Sequence, residues 1–255
     1  MDDKKIRDME GRIEGFRIRS KDSDDYKVKD DVFDEVTLKT LYKIAKKGII
    51  SAMGGPISTG KEANVFHAIG EGDEEIAIKI YRITTSDFRA MQDYLIGDPR
   101  FSNVKNEKKN IVFAWTKKEF RNLKRSHDVG VRVPEPISSE RNILVMRFIG
   151  EDGVAAPRLK DVGSHLDNAD EIFENVVDYT ADLYTKADLV HSDLSEFNIL
   201  YDDGPVLIDM GQAVTLDHPR AGEFLERDVK NVVRYFKKLG VRCDEYDVME
   251  RVKGH

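Results

Sequence analysis

Apolar runs long enough to cross a bilayer are missing from this chain of 255 residues. None approaches the roughly 18 residues that suggest a membrane helix. The opening stretch, from Met1 to Ser20, is charged throughout and lacks the apolar core of a secretory signal. Cysteine is almost absent. Cys243 stands alone and cannot form an internal disulfide, so a reducing cytoplasm is the expected compartment. Internal repeats and low-complexity tracts are lacking too. Positive charge is in deficit, with a formal net charge of −7. That balance argues against a domain that binds nucleic acid nonspecifically, because such binding neutralises phosphates. Local basic clusters (Lys105, Lys108 and Lys109, then Lys117, Lys118, Arg121, Lys124 and Arg125) leave direct RNA contact open, although a solvated helix face and loop account for them.

What is present is a globular profile, 40% hydrophobic and 35% charged, in a chain long enough for one large domain or two lobes. Residues 1–30 read as a charged arm or loosely docked helix. Val32 to Lys47 carries a helical stripe of Val32, Val36, Leu41, Ile44 and Ala45, with Gly48 as its stop. Strands are expected at Ile49–Met53, Ala63–Ile69 and Ile76–Arg82, with Gly54-Gly55-Pro56 ending the first and a turn over Ser58–Glu62. In the third strand Ile76, Ile78 and Ile80 share one face, and Ala77, Lys79 and Tyr81 the other. Residues 84–110 read as a mobile insertion with one short helix. A helix over Phe113–His127, an extended Val131–Pro136 and a β-rich Asn142–Ile149 close the first lobe near Gly150. Beyond it come helices at Asp170–Lys186 and Phe224–Leu239, and a hairpin of Ile199–Tyr201 with Val206–Ile208. The expected domains are an arm and helix over 1–48, a β-rich lobe over 49–150 with a hinge at 146–150, and a reduced helical lobe over 151–255.

The most informative stretch is His191-Ser192-Asp193-Leu194-Ser195-Glu196-Phe197-Asn198, followed by Ile208-Asp209-Met210-Gly211. It fits H-x-D-x-x-x-x-N with a second Asp-x-Gly close behind, a pattern suited to holding a metal-loaded nucleoside triphosphate. Asp193 is the candidate base or orienting group. Asn198 and Asp209 offer the hard oxygen ligands that Mg²⁺ prefers. His191 is expected to brace the loop. Lys79, facing inward from a β-rich lobe, needs anionic partners: phosphates and a helix glutamate, with Glu119 preferred over Glu107. Ala77 is small enough to admit a purine ring. Backbone groups around Gly60 and Lys61, with the Ser58 hydroxyl, are candidate phosphate contacts. Met146, Phe148 and Ile149 stand where a hinge would meet adenine, with core packing an equal reading for Phe148. Gly55 to Lys61 also fits G-x-x-x-x-G-K, but Glu62 replaces the metal-binding hydroxyl and a strand pattern follows where a P-loop opens a helix.

Taken together, Ser58 to Val65, the insertion segments Ser86–Tyr94 and Gly97–Phe101, the His191 loop through Leu200, and Ile208–Gln212 resemble the RIO family of atypical protein kinases, in its Rio-one branch. The resemblance spans about 32–240. It implies an α+β, two-lobed protein-kinase-like fold with a β-rich N-lobe and a reduced helical C-lobe. It also implies ATP and Mg²⁺ as cofactors (Mn²⁺ as a substitute), serine/threonine kinase or ATPase activity, and a role in maturing the small ribosomal subunit. Carried over by position, Lys79, Asp193 and Asp209 are catalytic, and Asn198 and Asp209 bind metal. Ser192 departs from the family, which often has glycine there. No Ala-Pro-Glu follows Asp209, so a broad peptide groove is not expected. Self-phosphorylation, with Ser86 or Ser102 as candidate sites, or a nucleotide-gated switch on an assembling ribosomal particle fits better; Asp209 itself is a candidate phosphoryl acceptor. The absence of long tails points to an archaeal source. Rival readings are an assembly factor with little turnover and a small-molecule kinase, which the Ser58–Val65 signature disfavours.

Overall fold

A computed structural model describes residues 33–83, 88–101, 104–105 and 107–254. The 1–30 arm, Ser86 and Ser102 lie outside the described residues. Helix α1 (Glu35–Lys46) starts where the Asp34 side chain accepts the Thr37 N–H at 2.7 Å, and it buries Leu41 and Ile44. It gives way at Lys47 to Gly48, whose φ of +80° no helix continues.

Five antiparallel strands follow, in spatial order β1-β2-β3-β5-β4: β1 (Ala52–Thr59), β2 (Ala63–Ile69), β3 (Glu75–Tyr81), β4 (Pro136–Glu140) and β5 (Ile143–Arg147). The expected break at Gly54-Gly55-Pro56 is not there. Strand β1 runs through it, with register irregularities between Met53 and Pro56 and between Pro56 and Ser58. The reason is position: β1 is an edge strand, where a missing proline N–H costs no internal ladder bond and a bulge absorbs the misfit. The turn correspondingly shrinks to Gly60–Glu62. Strand β3 divides as its alternation requires. Ile76, Ile78 and Ile80 join Leu41, Ile44, Phe66, Ile143 and Val145 in one core, while Tyr81 belongs to another on the opposite side.

That opposite core rests on helix α3 (Lys108–Asp128), which begins earlier than the pattern from Phe113 indicated. The insertion contributes α2 (Phe88–Leu95) and a 3₁₀ turn at Pro99–Phe101, and its Met91, Leu95 and Phe101 pack with Ile111, Val112 and Trp115 of α3. Its described part is thus anchored by apolar burial. After β5 a tight hairpin of β6 (Gly150–Glu151) and β7 (Val154–Ala155) leads into the second lobe.

The second lobe packs α4 (Leu159–Val162), α5 (Ala169–Thr185), α6 (Ala221–Lys238) and α7 (Glu245–Lys253) around short strand pairs. These pairs are β8 (Leu189–Val190) with β11 (Val214–Thr215), and β9 (Ile199–Tyr201) with β10 (Pro205–Leu207). Helix α7 was not anticipated. It is short and buries only Val248 and Val252, but Asp244 caps it, and Arg251 ties it to Glu174 and Asp178 of α5. No helix among the described residues is long and apolar enough to cross a membrane.

Gly150 sets the geometry of the connection between lobes. Its φ is +145°, and a Cβ there would overlap the Val154 carbonyl oxygen and lie 2.9 Å from the Ala155 Cα. Gly150→Ala is therefore expected to cost about 1–3 kcal/mol of stability, read as a lower urea midpoint at unchanged slope.

Candidate active site in the cleft between the lobes

The site begins with a lysine that strand pairing aims away from the isoleucine core. Ser58, Val65, Lys79 and Leu144 lie on one rung of the sheet, and His67, Ala77 and Met146 on another. Directly paired residues share a face, so Ala77 and Met146 flank the cleft beside Lys79. The Lys79 Nζ lies 2.8 Å from Glu119 Oε1 on α3 and 2.8 Å from Asp209 Oδ1 just past β10. Burial alone would lower its pKa, but Asp209 and then Glu119 hold it well above the ordinary lysine value. Burial raises the Glu119 pKa against the pull of Lys79, and Tyr81 donates its hydroxyl to the second Glu119 oxygen, Oε2. The Glu107 side chain is exposed at the start of α3 and accepts from Asn110 Nδ2 at 3.2 Å.

The loop from His191 to Asn198 joins β8 to β9. Its backbone is held from below by Asp228 of α6, whose carboxylate accepts the Ser192 N–H at 2.7 Å and the Leu194 N–H at 2.9 Å. Burial pushes this carboxyl up to about 7 in spite of those two bonds. Ser192 has φ +68°, a left-handed value that glycine adopts without strain. Asp209 is also left-handed, with φ +65°. Its pKa is lowered, chiefly by Lys79, and its side chain is about half exposed to the cleft (51%).

Asn198 links these parts. Its Nδ2 donates to the Asp193 carbonyl at 2.8 Å and to Asp193 Oδ2 at 2.9 Å, and its own carbonyl accepts the Ile208 N–H at 3.0 Å. With both protons of the amide directed at Asp193, the Asn198 Oδ1 is left as a ligand oxygen. Gln212 Nε2 also donates to Asp193 Oδ2, at 3.3 Å. Burial and the nearby Asp209 charge raise the Asp193 pKa. His191 is buried and pushed down to about 4 by that burial, so the neutral ring donates from Nε2 to the Ile208 carbonyl at 3.1 Å.

An amide oxygen from Asn198 and the free oxygen of Asp209 suit Mg²⁺, which keeps waters and phosphate oxygens in its other positions. No cluster of three or more His, Cys, Asp or Glu that would cage a metal outright occurs among the described residues. Around the cleft rim, Gly60 donates its N–H to the Ala63 carbonyl at 2.9 Å, and Lys61 is exposed at the hairpin tip with Ser58 just behind it. Between β5 and β6, Phe148 is 9% exposed, its ring meets His67 edge-on at 5.0 Å, and its N–H goes to the Glu75 carbonyl at 3.2 Å. The Ile149 carbonyl accepts the Ala156 N–H at 3.0 Å. The Phe148 N–H is thus spent within the fold, while the Ile149 carbonyl keeps a second lone pair.

Sequence reasoning passed over Asp228, Asn122 and the bond from Gln212, and it put Lys118, which is fully buried, on a solvated helix face. A signal existed for three of them. Asp228 interrupts the apolar stripe of Phe224, Leu225, Val229 and Val232, and Lys118 and Asn122 share the buried face of α3 with Trp115 and Leu123. A charged or polar group on an apolar stripe must have a buried partner.

A β-rich lobe and a helical lobe, with a lysine–glutamate pair facing an Asp–Asn loop and a second Asp across the cleft, define the class: a protein-kinase-like phosphotransferase. A family model described as RIO domain matches residues 64–249. The Rio1 RIO-type serine/threonine-protein kinase of Haloferax volcanii is 50% identical over 240 residues, covering 94% of this chain and 82% of that protein. The Methanocaldococcus jannaschii Rio1 kinase is 39% identical, covering 91% and 79%. The human RIO1 kinase is 42% identical over 88% of this chain, which spans only 42% of the human protein. Among solved structures, a Rio2 kinase–ADP/Mg²⁺–phosphoaspartate complex from Chaetomium thermophilum superimposes with a TM-score of 0.63 at 22% identity, covering 86% of this chain and 66% of that one. The chain belongs to the RIO family of atypical serine/threonine protein kinases.

The His191 environment has a measurable consequence. A histidine whose folded pKa is about 4, against an ordinary 6.5, favours folding above pH 6.5, and that advantage is lost as pH falls from 6.5 to 4. The full loss is about 3 kcal/mol. Without metal, the stability of wild type relative to His191→Gln should therefore rise with pH across that window and be flat above it. Parallel stability–pH curves would mean that the ring takes up its proton in the fold as readily as in the unfolded chain.

Proposed function

We propose that this chain is a Mg²⁺- and ATP-dependent serine/threonine kinase that phosphorylates itself, with ATP turnover acting as a conformational switch. The observation that carries this reading is the convergence on the Lys79 ammonium, at 2.8 Å each, of a helix carboxylate and the metal-loop carboxylate. Catalysis of phosphoryl transfer is mostly positioning and charge stabilisation, and each part has a group for it. Lys79 grips the phosphates and is itself oriented by Glu119. Asn198 and Asp209 hold Mg²⁺, which neutralises charge on the transferring phosphoryl group when bound; Mn²⁺ would satisfy the same oxygens. Asp193, braced by Asn198 and Gln212, takes the proton of the attacking hydroxyl. Ser58, Gly60 and Lys61 close over the phosphates, and Met146, Phe148 and Ile149 border the adenine end.

A second reading concerns the acceptor. Asp209 is ionised, half exposed and adjacent to Lys79, which supports a reading in which its carboxylate, in place of a hydroxyl, attacks the γ-phosphorus, forming an acyl phosphate as the bond to the bridging oxygen breaks and ADP leaves. The structural neighbour from Chaetomium thermophilum is itself a phosphoaspartate complex. Family membership further supports a cytoplasmic role in small ribosomal subunit maturation, with a precursor particle as partner. Hydrolysis of ATP measured with and without such particles tests that role.

Incubation with Mg²⁺ and γ-labelled ATP tests the chemistry. Lys79→Met, Asp193→Ala and Asp209→Ala should each lower label transfer by about a hundredfold or more while the proteins remain folded. Hydroxylamine-labile label that disappears in Asp209→Ala identifies the acyl phosphate, whereas acid-stable phosphoserine as the sole product rules it out. Full activity in Asp193→Ala would sink the kinase reading.

A further inference from the structure

Helix α3 grips the metal loop as well as Lys79. Lys118, fully buried, donates from Nζ to the Gly211 carbonyl at 2.8 Å and the Ala213 carbonyl at 2.5 Å. Asn122, also fully buried, donates from Nδ2 to the Met210 carbonyl at 2.9 Å and the Ala213 carbonyl at 2.8 Å. Trp115 lies so close to Gly211 that an added Cβ would be 3.0 Å from its indole nitrogen. Every backbone carbonyl named here follows directly on Asp209, whose left-handed φ carries strain for a residue with a Cβ and persists only if its surroundings over-determine it.

The insertion completes the arrangement. Asn122 Oδ1 accepts from Arg100 Nη1 at 2.9 Å. Arg100 is in turn held by the buried Asp98 through Nε at 2.9 Å and Nη2 at 2.7 Å. His218, beyond the metal loop, donates from Nε2 to the Ile96 carbonyl at 3.0 Å. The Arg100 contact decides the Asn122 orientation. Arginine only donates, so the amide must turn its oxygen to Arg100 and its NH₂ to the loop. Flipped, the amide oxygen would face two carbonyl oxygens and its NH₂ the guanidinium.

We propose that Arg100 and Asn122 are positioning residues for the metal loop: Arg100 sets the Asn122 amide, and Asn122 with Lys118 holds the 210–213 carbonyls so that Asp209 meets the divalent cation. The insertion is in this way a structural part of the metal site. The inference rests on the reading of Asn198 and Asp209 as the Mg²⁺ site.

The test measures Mn²⁺ affinity at saturating ADP by electron paramagnetic resonance, and ADP affinity in EDTA by calorimetry, for wild type, Asn122→Asp and Arg100→Met. Asn122→Asp keeps the acceptor for Arg100 and loses the donors to the loop. Both variants should bind Mn²⁺ about tenfold more weakly, with metal-free ADP affinity within about twofold of wild type. Trp115, the one tryptophan of the chain, should change its emission in the same variants because it packs on Gly211. Unchanged Mn²⁺ affinity in folded variants overturns the proposal, as does equal weakening of metal-free ADP, which marks general damage. Should Arg100→Met leave the buried Asp98 unable to fold, Arg100→Lys decides, since it keeps a charge for Asp98 without the fork that reaches Asn122. Absence of any Mn²⁺-dependent binding in wild type overturns the metal-site reading, and this inference with it.

Discussion

A buried ammonium ties the molecule together. Lys79 has left water, and that transfer is costly unless the charge is matched by opposite charge and hydrogen bonds. Its two carboxylate partners come from different places: Glu119 from the long helix behind the sheet, Asp209 from the turn after a hairpin in the second lobe. Sheet, helix and second lobe must therefore approach in one relative arrangement for the charge to be satisfied. Removing either partner leaves the remainder with an uncompensated buried charge, so the pairing constrains geometry more than it adds stability.

Two of the left-handed residues that are not glycine stand in the loops around that pairing. Ser192 and Asp209 both hold left-handed backbone without being glycine, and each is locked by groups brought in from elsewhere. Asp228 reaches up from α6 to the loop N–H groups, neutral His191 ties the loop to Ile208, and Lys118 and Asn122 hold the carbonyls after Asp209. Buried polar networks of this kind are stabilising only when every member is satisfied. The same polar groups look misplaced on otherwise apolar helix faces until the loop they serve is seen.

Much of the site was legible along the chain. The spacing of Asp193, Asn198 and Asp209 singled out the two loops that border the cleft, and the two-residue alternation of β3 put Lys79 opposite the isoleucines. Preference for Glu119 over Glu107 followed from helical periodicity. Harder to read were features fixed by position in the sheet or by distant partners. Gly54-Gly55-Pro56 reads as a breaker, yet an edge strand tolerates it. Helix α7 has too few apolar residues to announce itself: Val248 and Val252 anchor it in the second-lobe core, and Arg251 meets two acids of α5. The insertion looked weakly periodic because its burial falls on a few residues, Met91, Leu95 and Phe101, against a face that α3 and Tyr81 of β3 supply.

By itself the amino-acid order determined which side chains are available for chemistry and which strands and helices carry them, since periodicity and turn residues act locally. It also determined the family, through motifs whose spacing is set within single loops. Only the tertiary structure decided what those side chains meet: that Lys79 is shared between two lobes, that the Phe148 N–H is already spent on Glu75, and that Arg100 of the insertion reaches the 210–213 carbonyls through Asn122. The reason is physical. Desolvation and hydrogen-bond satisfaction are settled by neighbours in space, and those neighbours come from segments dozens of residues apart.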